Sequence, residues 1–188
     1  MPPATPKRRN AEKTQQAILD AARQTFFEKG YDAAGTREMA DRANVNVALI
    51  NRYFGSKEGL FKKAILPELN IEFLLAGDMA DFGQRVANMF AAKTGEKEFD
   101  PLVALLRAST SKEAIPLLRQ TVEDQIIKPL ALRLNGNTAH ERASLIVTQL
   151  AGYDLLNRVV DVQTTSTGGT EDMVRLLGKT LQDLVDRV

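Results

Sequence analysis

The stretch Thr36-Arg-Glu-Met-Ala40-Asp-Arg-Ala-Asn-Val45-Asn-Val-Ala-Leu-Ile50-Asn-Arg-Tyr-Phe54 decides the reading of this chain. Its apolar residues recur at helical rather than strand spacing, and predict short helices over 36–43 and 47–54. Between them, Asn44 stands where a left-handed turn residue is wanted, because asparagine tolerates positive φ better than most residues with a Cβ. Ala40, Val45 and Ile50 are spaced to pack between the two helices. The small Ala40 lets them approach, and Val45 plugs the corner. The outer face of the second helix then offers Val47, Ala48, Asn51 and Arg52. Such a surface suits base edges, since a recognition helix enters the major groove with its N-terminal residues foremost. Spacing alone leaves a generic helical hairpin open beside this reading.

Upstream, Ile18, Ala21, Ala22, Thr25 and Phe26 form the inward stripe of a helix over 11–29, with Gly30 as its stop. Residues 1–10 hold three prolines and the run Lys7-Arg8-Arg9, and read as a disordered basic arm. Downstream, Ser56 is a natural N-cap for a helix over 57–66, with Glu58 favoured in its first turn. Phe54 and Phe61 lie on apolar stripes and read as core. Beyond Pro67, helices are expected over 68–75, 78–92, 101–108, 111–134 (kinked at Pro129), 140–162 and 170–188, with a polar turn at 164–169.

Composition bounds the function. The chain has 188 residues and no cysteine, so disulfides and thiolate chemistry are excluded, consistent with a cytoplasmic location. No apolar run approaches the roughly 20 residues of a membrane span, and the N-terminal stretch has no apolar segment of a signal peptide. The formal net charge of +1 conceals an asymmetry. Residues 1–66 carry 12 Lys and Arg against 7 Asp and Glu, while residues 67–188 carry 13 against 17. A basic head on an acidic body suggests that the head meets a polyanion.

Resemblance sharpens the assignment. The strings Ile18-Leu-Asp-Ala-Ala-Arg-Gln-Thr-Phe-Phe-Glu-Lys-Gly-Tyr31, Thr36-Arg-Glu-Met-Ala40, Val45 to Ile50 and Tyr53-Phe-Gly-Ser-Lys-Glu-Gly-Leu-Phe61 resemble the DNA-binding domain of the TetR family of regulators. The resemblance implies an all-α fold. A three-helix helix-turn-helix domain at 11–66 is joined by a linker helix to a larger dimerisation and ligand-binding domain at 67–188. It implies that Arg37 reaches a guanine or a phosphate, that Asn46, Val47 and Ala48 lie against bases, and that Thr36, Tyr53 and Lys57 clasp phosphates. Arg52 suits either role. Two positions depart from the family pattern. Gly35 replaces the usual Ser or Thr, and Asn51 replaces the commonest Tyr, exchanging a phosphate contact for a possible adenine edge. The implied partners are a palindromic DNA operator, a second copy of the chain and a small apolar ligand.

The C-terminal helices have wide apolar faces. Leu145, Leu150, Tyr153, Met173, Leu177, Leu181 and Leu184 suit a four-helix bundle made by two chains, where the family pattern places its dimer interface. The same stripes suit an intramolecular core. Phe73, Met79, Phe82, Met89, Phe90, Leu105, Gln120 and Gln149 are the candidate ligand contacts, with plain core as the competing reading. Enzyme function is not expected. The single histidine, His140, lies at the polar start of a helix with no acid-rich cluster at metal-ligand spacing, and no nucleophile elbow or phosphate loop is present. No catalytic residue, metal or cofactor is assigned. A helical interaction or adaptor module without ligand response is the alternative, but it would not need the basic head.

Overall fold

The computed structural model describes residues 6–69, 71–92, 99–160, 162 and 169–187, and among these it holds helices and no strand. Contacts divide the chain into two units, residues 1–68 with 99–118, and residues 69–98 with 119–188.

The first unit begins with α1 (Pro6–Ala33). The helix therefore starts inside the stretch expected to be a disordered arm. Proline suits an opening turn because its missing N–H would have no partner there. Residues 1–5 lie outside the described residues. Gly30 interrupts α1 at φ 72°, a left-handed conformation that favours glycine. A Cβ at this position would also stand 2.9 Å from the Arg107 carbonyl oxygen. Next come α2 (Thr36–Arg42), α3 (Val47–Phe54) and α4 (Lys57–Ala64), followed by a 3-10 turn at Leu66–Glu68. Ile18, Phe26, Met39, Ala40, Ile50, Leu60 and Phe61 are buried. Phe26, Tyr31 and Phe61 form the aromatic centre, with Phe61 edge-on to both others at 5.0 and 5.1 Å between ring centroids. Phe61 is thus core as expected, whereas Phe54 is only half-buried.

Charged side chains tie α1 to its neighbours. Arg42 meets Glu28 at 2.5 Å and Glu38 at 3.2 Å, and Lys29 meets Glu38 at 2.7 Å. The Arg42 guanidinium holds the Glu28 carboxyl below its usual range, and Lys29 does the same for Glu38. Lowered carboxyl values stabilise the fold above the ordinary carboxylate range, and that contribution is lost on acidification through the lowered values. The exposure of these groups keeps it small.

The segment with α7 (Pro101–Ala108) also belongs to this unit, although the sequence reading put it in the C-terminal domain. Asp100 caps this helix by accepting from the backbone N–H groups of Leu102 and Val103. Arg107 donates to the Phe27 and Glu28 carbonyls at 2.7 and 3.2 Å, and its guanidinium lies over the Phe27 ring. Helix α8 (Ile115–Val122) starts in this unit and ends in the other.

The second unit holds α5 (Glu72–Leu75) and α6 (Phe82–Ala92). A π-helical stretch, Glu123–Ile127, leads into α9 (Lys128–Ala131), so the expected long helix is re-phased before Pro129. Helix α10 (Ala139–Asp154) runs into a second π-helical stretch, Leu155–Val159, and α11 (Gly169–Asp186) closes the chain. The expected turn at 164–169 falls, apart from Gly169, outside the described residues. Helices α6 and α11 are in backbone contact at Gly83 and Gly178. Gln182 bridges them, accepting from the Gly83 N–H at 2.8 Å and donating to the Met79 carbonyl at 3.0 Å. Arg142, buried on α10, donates to the Leu184 and Val185 carbonyls at the end of α11 and to the Asn135 carbonyl. No helix among the described residues is long and apolar enough to cross a membrane.

Candidate nucleic-acid interface

The α2–α3 corner is built from its own backbone bonds. The Val45 N–H donates to the Ala40 carbonyl at 2.9 Å, and Asn44 takes φ 52°. Ala40 and Ile50 are buried beneath the turn and Val45 is half-buried in its corner. Asn46 caps α3, its side-chain oxygen accepting from the Ala48 N–H at 2.8 Å. That bond occupies the carbonyl end of the amide and leaves its N–H groups as the side chain's free donors, suited to acceptors such as guanine O6 or N7. Helix α3 is thereby held with Asn46, Ala48, Asn51 and Arg52 exposed and Val47 and Tyr53 half-buried.

Ahead of α2, Gly35 provides no side-chain cap. The hydroxyl that serine or threonine would supply is missing, and space around Gly35 is open. Thr36 is half-buried and Arg37 exposed on the first turn of α2. At the start of α4, Ser56 accepts from the Gly59 N–H at 3.0 Å, as expected of an N-cap. Lys57 does not simply extend into solvent. Its ammonium sits 4.8 Å from the centroid of the Tyr31 ring and donates to the Asp32 carbonyl at 3.1 Å. Burial, then nearby Glu113, Glu58 and Asp32, push the Tyr31 phenol up, so the ring beneath Lys57 stays neutral.

The charges of this unit separate into two sets. Arg23, Lys29, Arg42 and Lys62 are each paired with a carboxylate. Among the described residues, Arg37, Arg52 and Lys57 make no ion pair, nor do Lys13, Lys63, Arg107 and Lys112; of these, Arg37, Arg52 and Lys57 stand on α2, on α3 and at the start of α4, so their charge is the part available to a polyanion at this corner. The groups that sequence reasoning missed are Asp32, Arg107 and Ser111. Their partners lie some 80 residues away, and no local pattern marks them.

A family model described as "Tetracyclin repressor-like, C-terminal domain" matches residues 80–185, more than half of the chain, and one described as "Bacterial regulatory proteins, tetR family" matches residues 18–64. The chain belongs to the TetR family. It is a transcriptional regulator with a DNA-binding domain. The uncharacterized HTH-type transcriptional regulator YvkB of Bacillus subtilis is 51% identical over 47 residues, which cover 25% of each chain. An HTH-type transcriptional repressor of Mycobacterium tuberculosis is 41% identical over 61 residues, 31% of this chain and 32% of that one. The matches thus span about a quarter to a third of these curated relatives. Over nearly the whole length, the chain is similar to a TetR-family regulator of Streptomyces coelicolor A3. The TM-score is 0.58 and identity 27%, covering 94% of this chain and 96% of that one. A TetR-like transcriptional regulator from Rhodococcus sp. RHA1 shares the fold at TM-score 0.62 and 19% identity, over 93% and 97% of the two chains.

The family's other sites are placed unevenly in this TetR-family chain. Of the expected dimer residues, Leu150, Leu181 and Leu184 are buried within the protomer, Tyr153 and Leu177 are half-buried, and Leu145 and Met173 are exposed. Leu155, Leu156, Val160 and Leu176 join the exposed apolar set. Of the expected ligand contacts, Phe82 and Phe90 are buried, Met79, Met89 and Gln149 half-buried, and Phe73 and Gln120 exposed. Leu105 belongs to the first unit. Met89 lines an open groove of about 480 Å³ with Asp81, Gln84, Arg85 and Asn88.

Proposed function

We propose that the chain is a cytoplasmic, homodimeric repressor that reads a palindromic operator and releases it when a small apolar ligand binds its C-terminal domain. The observation that carries the DNA-reading half is the uncompensated charge of Arg37, Arg52 and Lys57 beside the capped, exposed face of α3. Arg37 contacts a guanine or a phosphate. Asn46, Val47, Ala48 and Asn51 meet base edges, and Thr36, Tyr53 and Lys57 hold phosphates. Arg52 serves either purpose. Residues 11–66 form the reading head, supported by 99–118 of the same unit, and the rest of 67–188 forms the dimerising and sensing body.

Dimerisation is supported by the exposed apolar side chains of α10, its π-helical extension and α11. Leu145, Leu156, Val160 and Leu176 are each about half exposed, unusual for four leucine and valine residues on neighbouring elements. A two-fold dimer also holds two recognition helices about one DNA turn apart. The ligand reading rests on the family and on the adaptable Met79 and Met89.

The double variant Arg37→Ala, Tyr53→Ala tests the reading head. Its affinity for a duplex recovered from a random pool by the wild-type chain is expected to fall about a hundredfold or more, with a shallower salt dependence. Unchanged affinity would remove these two residues from the interface.

A further inference from the structure

We infer that Ser111 is a positioning residue for DNA binding, acting through Asp32 on the ammonium of Lys57. The inference rests on the reading that Lys57 contacts a phosphate. Asp32 is the junction. Its carboxylate accepts from the Ser111 hydroxyl at 2.6 Å, and its backbone carbonyl accepts from Lys57 Nζ at 3.1 Å. Ser111 itself is buried and fixed, its N–H donating to the Ala108 carbonyl at 3.0 Å and its Oγ accepting from the Ala114 N–H at 3.3 Å. The bond to Asp32 thus starts from a rigid donor.

Two consequences follow for Lys57. First, the Asp32 carboxylate is engaged by a neutral hydroxyl and makes no ion pair with Lys57 among the described residues. The lysine therefore keeps its full charge for a phosphate. Second, one of its three donors is spent on a carbonyl of fixed position, above the buried Tyr31 ring. The remaining two are oriented rather than free to sample the many rotamers of an exposed lysine. Holding that geometry before DNA arrives reduces the entropy lost on binding. Arg107, through the Phe27 and Glu28 carbonyls, pins the same end of α1. Residues 99–118 lie inside the stretch that matches the C-terminal family model, yet one of their side chains sets where a lysine of the reading head points.

When Ser111 loses its hydroxyl, the Asp32 carboxylate is released beside the ammonium and competes with phosphate for it. The test is equilibrium binding of the full chain to the pool-selected duplex across a salt series. Wild type is compared with Ser111→Ala, Ser111→Thr, Lys57→Ala and the Ser111→Ala, Lys57→Ala double variant. Ser111→Ala is expected to weaken binding about fivefold, the worth of one ordinary hydrogen bond. It should also lower the salt slope by up to about one per head. Ser111→Thr should restore both, and Ser111→Ala should add nothing once Lys57 is gone. Wild-type affinity and slope in Ser111→Ala, or an effect that adds in full to that of Lys57→Ala, would overturn the inference. If Lys57→Ala itself binds like wild type, the phosphate reading fails and the inference falls with it. Should Ser111→Ala lose its fold by circular dichroism, Ser111→Cys keeps the volume, weakens the donor and is read the same way.

Discussion

Gly83→Ala is expected to destabilise the second unit by about 3 kcal/mol or more, although alanine at an ordinary helical glycine stabilises by about 1 kcal/mol. The sign reverses because of what the new methyl would meet. A Cβ on Gly83 would lie 2.2 Å from the Gly178 carbonyl oxygen and 2.6 Å from the Gln182 amide nitrogen. Both are backbone atoms of α11, so no side chain can swing aside. The two helices must separate, and the Gln182 bridge to the Gly83 N–H and the Met79 carbonyl goes with them. Urea unfolding followed by circular dichroism reads the effect as a fall in midpoint. A midpoint at or above wild type would mean that α6 and α11 are not in backbone contact.

Phe61→Ala is expected to cost about 4 kcal/mol, within the range for removing a buried phenylalanine ring. Phe61 is fully buried and stands edge-on to both Phe26 and Tyr31, so its loss opens the centre of the reading head. The same ring supports Tyr31, on which Lys57 rests. Loss of DNA binding should therefore accompany the loss of stability, while Phe61→Leu, which refills most of the volume, should retain part of both. A thermal midpoint within a degree or so of wild type would show that the aromatic centre does not hold the head together.

What the sequence disclosed follows from range. Helix α3 has the bounds its residues predict, because Asn46 caps it in place and Gly55 ends it within the same short stretch. Helix α7 is equally local, with Asp100 and Pro101 at its start. Asn44 takes the predicted positive φ since the turn leaves it no other. Long-range features were not legible. Nothing near Ser111 announces Asp32, and nothing near Gly83 announces Gly178. The π-helical stretches at Glu123–Ile127 and Leu155–Val159 also carry no sequence mark, since packing rather than propensity inserts the extra residue. Apolar periodicity located the stripes of α10 and α11 but did not sort them. Leu181 is fully buried and Leu176 about half exposed on one helix. The expected ligand contacts fared similarly, for a phenylalanine such as Phe73 has the same spacing whether it faces core or solvent.

The central claim is that the exposed face of α3, flanked by Arg37 and Lys57, reads DNA. Selection of bound duplexes from a random pool by the 188-residue chain tests it most directly. The account predicts an enriched palindrome whose half-sites are centred about one helical turn, roughly 34–36 Å, apart. Within each half-site, substitution of Asn46 or Asn51 should relax the preference at a single position. A pool that emerges without any enriched motif would contradict the account.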